Sequence, residues 1–303
     1  MFGYFGPAGT FAHQALLTFY DGEAIPFVTV SRALNAVRSG EVEAALVPLE
    51  NSVEGGVSVT LDNLATGKRL MIRREVILDV QFDLCVRPGT QLGDVRQVLT
   101  HSHAAAQTRD WLAANVPQAV VNEGGSTAGA AKEVSDPGSK YDAAVCASVA
   151  GDLYGLDHIA KNIADNPGAV TRFVLVSLPA QPPMPTGADR TTLAVYLKQD
   201  QPGALLEMLT QFSVRGVNLC RIESRPTKAG LGSYFFSIDA EGHIRDPRLA
   251  EAVLGLKRVM GDVVFLGSYP RADRVAPSVA PGFTDASFAA AKSWYGSVIN
   301  PED

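Results

Sequence analysis

Residues 178–190 read LPAQPPMPTGADR, and the four prolines of that run cannot continue a helix or a central strand. The run splits the chain into two parts with different patterns. Beyond it, TTLAVYLK (191–198) reads as β, PGALLEMLTQFSVRG (202–216) as α, and VNLCRIESRP (217–226) as β. LGSYFFSIDAE (231–241) follows as β, DPRLAEAVLGLKRV (246–259) as α and DVVFLGSY (262–269) as β. The sum is βαββαβ, the plan of a ferredoxin-like module. RADRVAPSVAPGF (271–283) reads as linker, and TDASFAAAKSWYGSV (284–298) as a short helix whose Phe288, Ala291 and Trp294 suit docking on a partner surface.

Ahead of the proline run, strand and helix alternate. MFGYF is a strand, and Gly9 and Thr10 open the helix GTFAHQALLTFY. IPFVTV is the next strand, with Ser31 as N-cap and Gly40 as stop of a helix that buries Ala33, Leu34 and Val37. AALVPL is a continuous apolar run of the kind buried on both faces of a parallel sheet. A second half repeats the plan: VRQVLTHS strand, AAAQTRDWLAANV helix, QAVVNE strand, STAGAAKEVS helix, YDAAVCA strand. Two open sheets in one polypeptide face each other across a cleft, with ligands at the carboxyl ends of the strands. That geometry would gather GPAGT, LENS, THS and GGST, each of which follows a predicted strand.

The strand that enters the proline run opens with Thr171-Arg172-Phe173, where polar KNIADNPGAV gives way to apolar FVLVSL. A neutral hydrogen-bond donor beside a fixed positive charge suits a small anionic substrate that must lose a hydroxyl. Thr171 starts its strand, so it joins the other loops only if that strand runs antiparallel to its neighbour.

The 303 residues are 46% hydrophobic and 19% charged, which is a folded chain with room for about two domains. A net charge of −6 argues against nucleic-acid or anionic-membrane attraction, so an anionic ligand needs a local positive group. No apolar run approaches the roughly 18–20 residues needed to span a bilayer, and MFGYFGPAGTF has no basic n-region, so a cytoplasmic location is expected. Cys85, Cys146 and Cys220 lie in apolar segments and are expected to be buried structural thiols.

Gly6, Pro7, Gly9 and Thr10 lack the Gly-Lys-Ser/Thr ending and the GxGxxG spacing, leaving a tight turn at a helix N-terminus in place of a nucleotide loop. His101 and His103 have no further ligand at metal-binding spacing, so no metal is expected there. Glu50 follows a buried strand and offers an acid or an acceptor.

Together, GPAGTF, VPLENSVEGGV, HSHAAAQTRDWL, GGSTAGAA, AAVCASVAGDLYGLDHIAKNI and TRFVLV, followed by PGALLEMLTQF, VNLCRIESRP and SYFFSIDAEG, resemble prephenate dehydratase of the monofunctional kind with a C-terminal ACT domain. The expected fold class is α/β: a two-lobed periplasmic-binding-protein-like (type 2) catalytic domain over 1–179, a linker over 180–190, a ferredoxin-like ACT domain over 191–270 and a tail over 271–303. The resemblance implies conversion of prephenate to phenylpyruvate, water and carbon dioxide, without cofactor or metal, with L-phenylalanine as feedback inhibitor between paired ACT domains of a homodimer or homotetramer. It implies Thr171 as the catalytic residue and Glu50, Asn51, Ser52, Thr100, Gln107, Ser126, Thr127, Arg172 and Phe173 as substrate-site positions. The effector side maps to Gly203, Ala204, Leu205, Asn218, Leu219, Glu223, Ser224, Arg225 and Pro226. Thr100 stands where a Ser is common, His103 where a Gln is common and Ala169 where an Asn is often found. A non-catalytic amino-acid sensor and an arogenate dehydratase are the rival readings. Glu50, if kept protonated by burial, is the sequence-local proton donor, and Arg172, if it meets substrate, is expected to hold the pyruvyl carboxylate.

Overall fold

The computed structural model describes residues 1–53, 55–227 and 233–300. In chain order the first elements are β1 (Phe2–Phe5), α1 (Phe11–Leu17), β2 (Ala24–Phe27), α2 (Val30–Ser39), β3 (Ala44–Asn51), β4 (Gly55–Gly56), α3 (Ser58–Ala65), β5 (Met71–Asp79) and β6 (Asp83–Val86). Next come β7 (Gln97–Thr100), α4 (Ser102–Gln107), α5 (Arg109–Asn115), β8 (Val120–Glu123), α6 (Thr127–Ser135), β9 (Ala143–Cys146), α7 (Ser148–Leu153), β10 (Asp157–Ala160) and β11 (Val170–Ser177). The chain closes with β12 (Asp189–Tyr196), α8 (Ala204–Ser213), β13 (Leu219–Pro226), β14 (Tyr234–Glu241), α9 (Pro247–Val259), β15 (Asp262–Pro270) and α10 (Asp285–Ile299).

These elements form two compact units, Met1–Val57 with Val76–Val174, and Ser58–Glu75 with Leu175–Asp303. One sheet of the first unit runs β2-β1-β3-β11-β5, with β4 on β3 and with β1 parallel to both β2 and β3. Central β3 is apolar on both faces, and Ala45, Leu46, Val47 and Leu49 are fully buried. The other sheet runs β10-β6-β9-β7-β8; β7 is parallel to β8 and β9, while β6 is antiparallel to β9 and β10. Its core packs Leu84, Val98 and Val145 against Leu112 and Val116 from the α5 side.

Local chemistry moves several expected boundaries. The N-cap of α2 is Thr29, whose hydroxyl accepts from the Arg32 amide, so the helix starts before Ser31 and the preceding strand stops at Phe27. Gly40 does end the helix, in the left-handed region at φ +79°. The expected single helix over 104–116 is two, because the Asp165 carboxylate accepts from the Asp110 and Trp111 amides and starts α5 afresh. Cys220 is exposed, unlike buried Cys85 and Cys146, because it lies on a strand whose burial alternates residue by residue.

In the second unit the four-stranded sheet has the order β13-β14-β12-β15, all antiparallel. Leu193, Val195 and Ile238 on one face meet Met208, Phe212, Leu249 and Leu256 of α8 and α9. The opposite face explains why residues 58–75 group with the C-terminal part. Arg190 donates to Glu75 at 2.7 Å, the Tyr196 hydroxyl donates to the Ala65 carbonyl at 2.7 Å, and Arg225 donates to Asp62 at 3.1 Å. A buried Arg–Glu pair needs its partner in place, which ties this segment to the sheet. β12 begins at Asp189, whose carboxylate accepts from Thr186 and Gly187 and ends the proline run. Leu231 and Gly232 of the expected strand 231–241 lie outside the described residues; β14 is described from Tyr234. Among the described residues α10 buries none of its side chains, and Trp294 is exposed.

Candidate active site

The end of β3 lies against the start of β11, so these neighbours run in opposite senses and Thr171 reaches the LENS turn. The Ser52 amide donates to the Val170 carbonyl at 2.9 Å, and the Val170 amide donates to the Ser52 hydroxyl at 2.9 Å. Held on both sides, Val170 fixes the backbone immediately before Thr171. Asn51 Nδ2 then donates to Thr171 Oγ1 at 2.9 Å. The amide of Asn51 is oriented by its other end, because Oδ1 accepts from the Val53 amide at 2.8 Å. With its oxygen already accepting, the Thr171 hydroxyl keeps its proton to give, and among the described residues no protein acceptor takes it.

Arg172 belongs to a different pair. Its Nη1 donates to Glu50 Oε2 at 3.3 Å, and its side chain is 8% exposed against 37% for that of Glu50. Successive residues of a strand point to opposite faces, so Asn51–Thr171 and Glu50–Arg172 form two rows on opposite faces of the β3–β11 ladder. This corrects the expectation that hydroxyl and guanidinium act side by side. It also removes the condition set for Glu50 as proton donor, since Glu50 is partly exposed and faces a guanidinium. Phe173, the fourth residue of β11, is buried.

A second cluster forms where GPAGT meets α6 and α7. Gly9 has φ +87°, and a Cβ there would stand 3.1 Å from Ala150 and 3.4 Å from the Ala128 side chain, so the turn admits only glycine at this approach. His13 Nδ1 accepts the Gly9 amide at 3.1 Å, and burial lowers the His13 pKa, favouring this neutral acceptor. Ser126 caps α6, its hydroxyl accepting from the Gly129 amide at 2.9 Å, and Thr127 follows in the first turn.

Thr100 is fully buried and donates to the Val145 carbonyl at 2.7 Å, which joins β7 to β9. Gln107 ends α4, and its carbonyl accepts the Asp165 amide at 2.7 Å, anchoring the loop that leads to Thr171. His101 caps α4 through Nδ1 at 3.3 Å from the His103 amide. Ala169, the position where an Asn was noted, is buried in the apolar core, with its carbonyl accepting from the Val80 amide. The hydrogen-bond donor that reaches Thr171 is Asn51. Sequence reading did not single out the group of buried Asp83, half-buried His158 and exposed Asp152, with ring contacts of 2.8 and 3.1 Å, because its members are scattered over three elements.

In the second unit, Gly203 is the N-cap of α8 at φ +87°, followed by buried Ala204 and partly exposed Leu205. The register row Tyr196–Phe235–Arg225 places the end of Glu223-Ser224-Arg225-Pro226 at the same end of the sheet as Gly203. Asn218 and Leu219 lie at the other end of β13.

A family model for prephenate dehydratase matches residues 2–181. The chain is 45% identical over 302 residues to a prephenate dehydratase of Amycolatopsis methanolica, covering 99% of this chain and 98% of that one. Among solved structures, prephenate dehydratase from Arthrobacter aurescens in complex with L-Phe aligns with a TM-score of 0.92 at 49% identity over 99% of both chains. A quorum-quenching acylase aligns with a TM-score of 0.81 at 32% identity, covering 89% of this chain and 97% of that one. With a matched model over more than half its length and a prephenate dehydratase 45% identical along 99% of it, the chain belongs to the prephenate dehydratase family, an enzyme of amino-acid biosynthesis.

Proposed function

We propose that the chain converts prephenate to phenylpyruvate with Thr171 as the catalytic residue, and that L-phenylalanine inhibits it from the C-terminal module. The observation that carries the first part is the Asn51–Thr171 contact, which leaves the threonine proton available. Prephenate loses its ring hydroxyl and ring carboxylate as water and carbon dioxide; the C–O and C–C bonds break, the C–C bonding pair enters the ring, and the departing hydroxide takes up one proton. Aromatisation supplies the driving force, so the site has to orient substrate and stabilise the departing oxygen. An unperturbed threonine hydroxyl is too weak an acid to deliver a whole proton at pH 7, so Thr171 acts as a hydrogen-bond donor to charge that develops on the leaving group.

Asn51 and Ser52 position Thr171, while Gln107, Ser126 and Thr127 are the remaining polar groups for the substrate carboxylates and keto group. Thr100 and the Glu50–Arg172 pair brace the strands that carry the site, with Phe173 as its apolar wall. The two sheets of the first unit support a two-lobed, periplasmic-binding-protein-like catalytic domain over 1–179. No cofactor or metal enters the reading.

The βαββαβ order and the sheet order β13-β14-β12-β15 support an ACT domain over 191–270, after the linker 180–190 and before the tail 271–303. Effector contacts fall to Gly203, Ala204, Leu205, Asn218, Leu219 and the Glu223–Pro226 strand end. β13 is the sheet edge, with Ile222 exposed, which supports pairing with the same edge of a second copy in at least a homodimer. Feedback requires L-phenylalanine to prefer the less active state. The relative crystallised with L-Phe supports this assignment. A cytoplasmic site of action fits the pathway, and among the described residues no helix is long and apolar enough to cross a membrane.

The test is phenylpyruvate formation from prephenate at neutral pH, with and without L-phenylalanine. Rapid product suppressed by L-phenylalanine is the expected result; turnover of arogenate alone, or L-phenylalanine binding without turnover, would replace this reading.

A further inference from the structure

A cavity of about 410 Å³ lies in the second unit between Gly187, the Gly242–Asp246 turn at the start of α9, and tail residues including Val279, Phe283 and Asp285. Arg248 lines it and is 4% exposed. Among the described residues no hydrogen bond or ion pair is made by its guanidinium. Asp246 is a nearby counter-charge, but among the described residues the five guanidinium donors have no hydrogen-bond acceptor and call for one. The guanidinium sits over the backbone of Gly242: a Cβ there would stand 3.2 Å from Nη2 and 2.9 Å from Asp246 Oδ2. Gly242, at φ +109°, therefore keeps the approach to both charges open.

The same corner exposes a helix end. Asp246 is the N-cap of the 13-residue α9 but makes no side-chain bond to it, because its carboxylate accepts from the His243 amide at 2.8 Å. The first amides of α9 therefore lack a side-chain cap, and the helix N-terminus adds its partial positive charge to that of Arg248. Burial raises the pKa of Asp246 and the neighbouring charge of Asp285 adds to this, against the His243 amide and the charge of Arg248. Asp189 is satisfied by Thr186 and Gly187 and takes no part.

A simple anion would meet Asp246 and Asp285, and a simple cation would meet Arg248. A ligand with both charges a few ångströms apart satisfies both sides, and the volume falls within the usual range for a small-molecule site. We propose that this cavity binds a zwitterionic α-amino acid with an apolar side chain. Its carboxylate lies on Arg248 and the α9 N-terminus, its ammonium on Asp246 and Asp285, and its side chain against Val279 and Phe283. None of the residues assigned to L-phenylalanine lines this cavity; Gly203, which follows β12, lies at the opposite end of the sheet from the turn that follows β14, while Asn218 and Leu219 lie at the cavity's end. It holds whether or not the dehydratase reading does.

Isothermal titration of the full chain with L-leucine and with L-phenylalanine tests it, using Arg248→Gln and, on the exposed rim residue Ala286, Ala286→Trp, which fills the mouth without touching the core. At least one of the two amino acids is expected to bind with an affinity that each variant weakens about tenfold or more. The carboxylate-only 4-methylpentanoate and the amine-only 3-methylbutylamine are expected to bind about tenfold more weakly than L-leucine, as loss of one charged contact predicts. If Arg248→Gln fails to fold, Ala286→Trp decides alone. No heat from either amino acid up to about 10 mM, the weak end of measurable binding, or affinities unchanged in the variants, would overturn the proposal.

Discussion

Asn51 Nδ2 stands 2.9 Å from Thr171 Oγ1 and donates to it, across 120 residues of sequence. On the proposed reading the contact makes the asparagine a positioning residue, since it occupies a lone pair of the threonine oxygen and leaves the hydroxyl proton for the substrate. Asn51→Leu keeps the size and removes the donor. Its kcat is expected to fall about 10–100-fold, with KM changed much less, because the lost alignment matters where charge develops. Steady-state kinetics on prephenate checks this, and an unchanged kcat would remove Asn51 from the alignment of Thr171.

Glu50 faces a nearly buried Arg172, so its removal leaves a cation with less compensation. Because Glu50 is itself more than a third exposed, solvent takes up part of the loss, and Glu50→Ala is expected to cost about 1–2 kcal/mol. Glu50→Gln keeps an acceptor and is expected to cost less. Urea denaturation of the two variants gives the comparison, and a Glu50→Gln protein less stable than Glu50→Ala would contradict the pairing.

Arg225 ends the strand assigned to the effector and binds Asp62 at 3.1 Å on α3, whose chain continues directly from the turn after Asn51. On the proposed reading, the covalent chain from Asp62 back to Asn51 offers a link between effector binding and turnover. Asp62→Asn is therefore expected to raise the L-phenylalanine concentration for half inhibition about tenfold, a coupling of about 1.4 kcal/mol, while uninhibited turnover stays within about twofold. Equal inhibition in variant and wild type would place the coupling elsewhere.

His13 is held neutral in the folded chain, its pKa lowered by burial from the ordinary 6.5. The unfolded chain binds the proton first, so stability is full above pH 6.5 and falls as the pH drops through 6.5 toward the lower folded value. His13→Asn is expected to flatten the stability profile below pH 6.5. A slope unchanged by the substitution would assign that acid sensitivity to other groups.

Much of this was legible in the sequence where one period or one breaker dominated. AALVPL became a strand buried on both faces, Gly40 stopped its helix, and the βαββαβ order after the proline run matched element for element. The reading blurred where tertiary groups intervene. Asp165, 55 residues from Asp110, restarts a helix that looked continuous. β10 and the antiparallel β6 carry too few residues to show a period. Residues 58–75 belong with the C-terminal sheet through Glu75, Ala65 and Asp62, a grouping no local pattern announces. At the site, residue types pointed to Thr171 and the family resemblance to Asn51, while the alternation of β11 sets Arg172 on the other face.

The most direct measurement is kcat on prephenate for Thr171→Ser and Thr171→Val beside wild type. Serine keeps a hydroxyl for the leaving oxygen and valine keeps only the shape. The account predicts that Thr171→Ser retains turnover within about tenfold and that Thr171→Val loses about 10²–10³-fold, the usual scale for one transition-state donor. Equal turnover in all three proteins would contradict it.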